Sequence, residues 1–270
     1  MWATSHPGIL DAVPDSPPGS AATADDRALE HDLFPVPTRD RIGRVGTMLS
    51  RVSSGVAAIA GQVEPYAEWW DAANRRAVVD LERNGGRLWV VMGDSTAQGI
   101  GASAPDRGWV GQLAELRRLH GDDAADLRLV NLSVSGARVA DLLRDQLPRY
   151  QHLLAAYGTA ARTSVAIGAN DALRSANVAV LRRRLRELCE ELPGRATVAT
   201  LPEGVSVVAR MANRELRASA RRHGLVVADV NERIVDASLR ERLASDRFHP
   251  NDLGYADWAA AFAAAAERRA

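Results

Sequence analysis

The sequence predicts an α/β protein: a parallel sheet with helices packed on both of its faces. Five short runs rich in apolar and β-branched residues point to its strands: Leu88–Met92, Leu127–Leu132, Ser164–Ile167, Ala196–Leu201 and Leu225–Val230. Amphipathic helical patterns lie between them, as the crossovers of a parallel sheet require. The first run is apolar without alternation, the mark of a strand buried on both faces.

Each element can be justified in chain order. Residues 1–38 hold six of the 12 prolines with scattered Asp, Ser and Ala and little periodicity, which predicts a disordered tail. Ile42, Val45, Leu49, Val52, Val56 and Ile59 then recur at helical spacing, with Arg41, Arg44 and Arg51 near the start. Gly43, Gly46, Gly55 and Gly61 weaken this helix. It would pack on the domain or a partner chain; the sharper alternative is weak peripheral contact with a membrane surface through residues 41–60. A second helix is expected after Pro65, with Tyr66, Trp69, Trp70, Ala73, Ala77 and Leu81 as its apolar side and Asn84-Gly85-Gly86 as its stop. The chain thus divides into a tail (1–38), a helical extension (39–85) and an α/β domain (86–270).

Within that domain, helices are expected over Gly108–His120, Val139–Tyr157, Asp171–Leu192, Val205–His223 and Asn251–Arg268. In the third, Leu181, Leu185, Leu188 and Leu192 form the buried stripe, and Arg182, Arg183, Arg184 and Arg186 face water beside Glu187, Glu190 and Glu191.

Composition narrows the function. The chain has 270 residues, 46% hydrophobic and 25% charged, and a formal net charge of +0, so no global attraction to nucleic acid or anionic lipid is expected. No run of about 18 apolar residues predicts a transmembrane helix. The opening MWATSHPGILDAVPDS lacks the basic and apolar regions of a signal peptide, which makes a cytoplasmic location the expectation. Cys189 is the single cysteine, set in a helical pattern where a small buried apolar residue is its ordinary role. All 34 basic residues are arginine, which excludes Schiff-base lysine chemistry and the phosphate-loop lysine. Zinc-ligand spacings, a dinucleotide G-x-G-x-x-G turn and the G-x-S-x-G elbow are absent, and neither metal nor organic cofactor is expected.

Ligands bind beyond the carboxyl ends of such strands, so the residues that follow each strand matter most. The first strand ends in Gly93-Asp94-Ser95, the second in NLSVSG at 131–136, and the third in Gly168-Ala169-Asn170-Asp171. DRFHP follows the fifth at 246–250. Ser95 alone could equally cap the next helix. As a nucleophile it needs a base, and histidine suits because its ordinary pKa lies near neutrality. His6 and His31 lie in the tail, His120 and His223 at helix ends, and His152 mid-helix without an acidic neighbour. His249 follows Asp246 by three residues, so a tight loop or one helical turn can set the carboxylate beside the imidazole and fix its tautomer. Pro250 suits the opening of the last helix. An attacked carbonyl oxygen needs donors: the Gly136 N–H, the Asn170 amide and the Ser95 N–H are candidates.

With these blocks the chain resembles the SGNH hydrolases, the GDSL esterase/lipase superfamily. GDS at 93–95, NLSVSG at 131–136, GAND at 168–171 and DRFHP at 246–250 carry the resemblance, which spans roughly residues 86–268. It implies a three-layer α/β/α sandwich of flavodoxin-like type, with five parallel strands ordered 2-1-3-4-5. It also implies Ser95, Asp246 and His249 as catalytic residues, with Ser95, Gly136 and Asn170 as the oxyanion hole. The implied activity is hydrolysis of a small-molecule, lipid or sugar ester through an acyl-serine. Acyl transfer or carbohydrate deacetylation from the same site, or a non-catalytic interaction role, are the alternatives. Loops 96–108, 135–139 and 202–208 would shape specificity, with Trp109, Met211 and Phe248 as candidates for apolar surface. Oligomeric state is left open.

Overall fold

A computed structural model describes residues 54–119, 126–174, 177–204, 206–232 and 239–268. The expected tail, the start of the helix over 42–59 and the membrane-facing stretch up to residue 53 fall outside the described residues, as do His6, His31 and His120. Helices α1 (Ser54–Ala60) and α2 (Val63–Asn84) lead into β1 (Arg87–Gly93) and the short α3 (Ser95–Gln98). A 3-10 turn at Pro105–Arg107 and α4 (Trp109–Leu119) precede β2 (Leu127–Asn131). Next come α5 (Val139–Asp141), a π turn (Leu142–Gln146) and α6 (Leu147–Tyr157), then β3 (Arg162–Ala166), α7 (Ala169–Arg174) and α8 (Val178–Glu191). The chain closes with β4 (Thr197–Ala199), α9 (Val207–Arg222), β5 (Val226–Ala228), two 3-10 turns and α10 (Asp252–Glu267).

The strands form one parallel sheet in the order β2-β1-β3-β4-β5. The reversal of order falls beside β1, and the end of β1 is where Ser95 follows. Alternate residues of β1 enter opposite layers, as a period of two demands. Val90 and Met92 join Val130, Val165 and Val198 beneath Leu153 of α6, Leu185 of α8 and Leu216 of α9. Trp89 and Val91 join Ala166 and Ala228 beneath Trp109 and Leu113 of α4 and Phe262 of α10. The three-layer α/β/α sandwich and the flavodoxin-like strand order are therefore as expected.

Four sequence readings change. The single helix expected over 171–192 is two, because Asn177 starts a second one: its side chain accepts from Ala179 N at 3.1 Å and Val180 N at 3.2 Å. Trp109 supplies no surface to a ligand; it is fully buried and stacks on Phe262 with ring centroids 4.0 Å apart. Arg182 and Arg186 do not simply face water, since both donate to Glu215 of α9, a buried carboxylate that also takes Arg222. Burial opposes that charge, but the arginine hydrogen bonds win and hold Glu215 down at about 2. Pro250 does not open α10: Asn251 is its cap, accepting from Leu253 N and Gly254 N at 3.0 and 3.1 Å, and Pro250 precedes that cap. Cys189, on α8, is wholly buried, and burial pushes its thiol up to about 12.

Candidate active site

Ser95 is the first residue of α3, and the cap that its own hydroxyl could have supplied comes from Asp94 instead. Asp94 Oδ1 accepts from Thr96 N at 3.0 Å and from Thr96 Oγ1 at 2.8 Å, which leaves the Ser95 hydroxyl unused by the helix. The hydroxyl meets His249 instead, with Ser95 Oγ 2.9 Å from His249 Nε2. On the far side of the ring, His249 Nδ1 lies 2.6 Å from Asp246 Oδ2. Three groups from two distant stretches of chain thus form one hydrogen-bonded row.

The short loop that carries Asp246 and His249 is wound tightly. Asp246 Oδ1 accepts from the N–H groups of both Phe248 and His249 at 3.0 Å, and Arg247 takes a left-handed φ of 57° to allow it. Burial would raise the Asp246 carboxyl, yet the His249 hydrogen bond and charge, with the two N–H donors, hold it below the usual carboxylate range. Asp246 therefore stays an acceptor and fixes the imidazole with Nδ1 protonated and Nε2 free to accept.

Gly101 lets this loop come close. Its φ is 100°, and a Cβ there would lie 2.5 Å from the Pro250 carbonyl oxygen and 2.8 Å from His249 Cβ. Asp94, beneath the serine, is 1% exposed, and burial raises its carboxyl to about 6 against the lowering pull of Thr96 and His249.

Gly136 and Asn170 stand at the ends of β2 and β3, on the same end of the sheet as Ser95. Gly136 has a left-handed φ of 77°, open to glycine at no steric cost. Among the described residues neither the Ser95 N–H nor the Gly136 N–H has a hydrogen-bond acceptor. Asn170 Nδ2 donates one hydrogen to the Ala137 carbonyl at 3.1 Å and keeps a second to offer. All three donors thus follow strands at the same end of the sheet.

Sequence reasoning missed the residues that hold these loops. Gln98 Nε2 donates to the Ser133 carbonyl at 3.0 Å, and its Oε1 accepts from Ser135 N and Oγ, tying the Gly136 loop to α3. Asp171 Oδ2 accepts from Val139 N at 3.0 Å, so the helix bearing Asn170 grips the far end of the same loop. Gln146, which ends the π turn, brackets Gly93 by accepting from its N–H at 2.9 Å and donating to its carbonyl at 2.8 Å. Asn131 bridges the two loops through the Ala97 carbonyl at 2.8 Å and Ser133 N at 3.1 Å. Asp171 and Asn131 lie inside recognisable blocks; Gln98 and Gln146 carry no motif at all. Met211 and Phe248 remain partly exposed, at 38% and 37%, and Phe248 meets the His249 ring edge-on at 4.8 Å. Among the described residues no group of His, Cys, Asp and Glu could hold a metal ion.

Comparison with known proteins gives the family and the fold. The family model described as GDSL-like Lipase/Acylhydrolase matches residues 91–256. Among solved structures, the chain is similar to TesA at 22% identity and a TM-score of 0.55, covering 67% of this chain and 99% of that one. A lipase/acylhydrolase from Enterococcus faecalis is similar at 20% identity and a TM-score of 0.54, covering 68% and 96%. A variant of the acetyl xylan esterase Axe2 from Geobacillus stearothermophilus is similar at 21% identity and 0.52, covering 67% and 94%. These structural likenesses are likenesses of fold. No curated protein matches the chain.

Proposed function

This chain belongs to the GDSL-like lipase/acylhydrolase family of SGNH hydrolases, and we propose that it acts as a serine esterase on carboxylic esters through an acyl-serine intermediate. The observation that carries this reading is the row Ser95 Oγ, His249 Nε2, His249 Nδ1 and Asp246 Oδ2, with steps of 2.9 and 2.6 Å. Ser95 attacks the ester carbonyl while His249 Nε2 takes the hydroxyl proton, and Asp246 stabilises the imidazolium that results. The negative charge on the carbonyl oxygen is met by the Ser95 N–H, the Gly136 N–H and the second amide hydrogen of Asn170. His249 returns its proton to the leaving alcohol. Water, deprotonated by the same nitrogen, then attacks the acyl-serine carbonyl, and the bond to Ser95 Oγ breaks as His249 returns that proton to it, freeing the acid.

The hydrolase unit in this reading is residues 86–270, acting on a small-molecule, lipid or sugar ester. Among the described residues no helix is long and apolar enough to cross a membrane. The test is hydrolysis of short p-nitrophenyl esters by the wild type and by Ser95→Ala. The wild type turns over, labels at Ser95 with a fluorophosphonate, and loses both properties in the variant. Retained turnover in Ser95→Ala would overturn the assignment.

A further inference from the structure

The family match begins at residue 91, beyond α2, yet α2 is bonded to the site more closely than its place ahead of the domain suggests. It packs along β2, the edge strand of the sheet. Gln62, its N-cap residue, and Tyr66, Trp70 and Asn74 within it recur every fourth residue and so share one face. Three of them end on main-chain atoms of the stretch from Gln98 to Ala102 that follows Ser95, and the fourth on those of Asn131, the last residue of β2. Gln62 Oε1 accepts from Gly101 N at 2.8 Å, and its Nε2 donates to the Ala102 carbonyl at 3.1 Å. Tyr66 donates to the same carbonyl at 2.7 Å, and the Trp70 indole donates to the Gln98 carbonyl at 3.0 Å. Asn74 accepts from Asn131 N at 2.7 Å and donates to the Asn131 carbonyl at 2.8 Å, taking both bonds that a further strand would take at this edge. Tyr66, Trp70 and Asn74 are all buried.

Covering an open sheet edge needs only apolar contact and a few edge bonds. This row instead places three of its four side chains on the loop from Gln98 to Ala102, which is not part of the sheet. That loop backs His249 through Gly101, with no room even for a methyl group between them. Through the Gln98 side chain it also holds Ser133 and Ser135, immediately before Gly136. A shift of either loop would therefore reach the base and an oxyanion donor together, and such geometry tolerates only about 0.5 Å.

We infer that α2 is a positioning element of the active site: the Gln62, Tyr66, Trp70 and Asn74 row sets the register between the nucleophile loop and the Gly136 loop. The inference rests on the esterase reading above. None of the four touches substrate; they act through Gly101, Gln98 and Asn131.

The test measures kcat and KM on a short p-nitrophenyl ester, the rate of fluorophosphonate labelling at Ser95, and Tm, for Asn74→Ala, Trp70→Phe and Leu81→Ala. Leu81 is buried on the same helix but serves the sheet core. Asn74→Ala is expected to lose about tenfold in kcat and in labelling rate with KM within about twofold, and Trp70→Phe several-fold. Leu81→Ala lowers Tm and keeps the wild-type kcat. Should Asn74→Ala not fold, Tyr66→Phe, which keeps its ring and removes only the hydroxyl donor, decides the matter, with Trp70→Phe, which exchanges the indole for a smaller ring and removes its N–H donor, beside it. Wild-type kcat in the loop-facing variants, or a loss in Leu81→Ala as large as theirs, would overturn the inference alone. A wild type that neither turns over esters nor labels would overturn the esterase reading and this inference with it.

Discussion

Replacing Asp94 with asparagine probes the carboxyl buried under the nucleophile. Asp94 titrates at about 6 in the folded protein against an ordinary 3.8, because burial disfavours its charge. A folded state that holds this proton more tightly than the unfolded chain loses stability as pH rises from 3.8 through 6, since the carboxyl must then ionise in place. The difference of about two pH units corresponds to about 3 kcal/mol. Asparagine keeps the Oδ1 that accepts from Thr96 N and Thr96 Oγ1, so the turn at 94–96 survives while the titration disappears. Denaturant unfolding of both proteins between pH 3 and pH 7 measures the effect. Relative to wild type, Asp94→Asn should gain about 3 kcal/mol on going from the acid to the neutral end, with half the gain reached near pH 5. Two stability curves that run parallel across that interval would refute the reasoning, because they would mean that Asp94 ionises in the folded state as readily as in the unfolded one.

Three further outcomes follow from the geometry. Asn170→Ala should lower kcat on the order of 10²- to 10³-fold, the usual loss for one oxyanion donor, in steady-state assays of a p-nitrophenyl ester. Asp246→Asn should cost on the order of 10⁴-fold in kcat, by favouring the wrong imidazole tautomer, with a far-ultraviolet circular dichroism spectrum like that of the wild type. Gly101→Ala places a methyl group 2.5 Å from the Pro250 oxygen at a φ of 100°, so it should displace His249, reduce activity and cost about 1–3 kcal/mol of stability, read as a lowered Tm.

The strands were legible because their information is local. Leu88–Met92 is apolar on both faces, and a strand buried on both faces is the only short element that such a run fits beside helical crossovers. Ser95 and Asn170 were legible as polar residues just after strands, and Asp246 and His249 as a carboxylate and an imidazole three residues apart in a late loop. The break before α8 was not, since the leucine period runs on past it and only the Asn177 side chain, folded back on two N–H groups, marks the new start. Trp109 was misread for a similar reason: an aromatic residue beside a loop looks available until Phe262, 153 residues later, covers it.

By itself the sequence determined where the strands and most of the helices lie, which residues are candidates for acyl-transfer chemistry, and, through its blocks, the family to which the chain belongs. Tertiary structure decided who stands next to whom. The contact between Ser95 and His249 spans 154 residues, and the bond from Asn74 to Asn131 spans 57. A side chain that bonds to a carbonyl asks nothing of its partner's identity, because every residue carries that carbonyl. For that reason Gln98, Gln146 and the row along α2 left no pattern to read until the chain was folded.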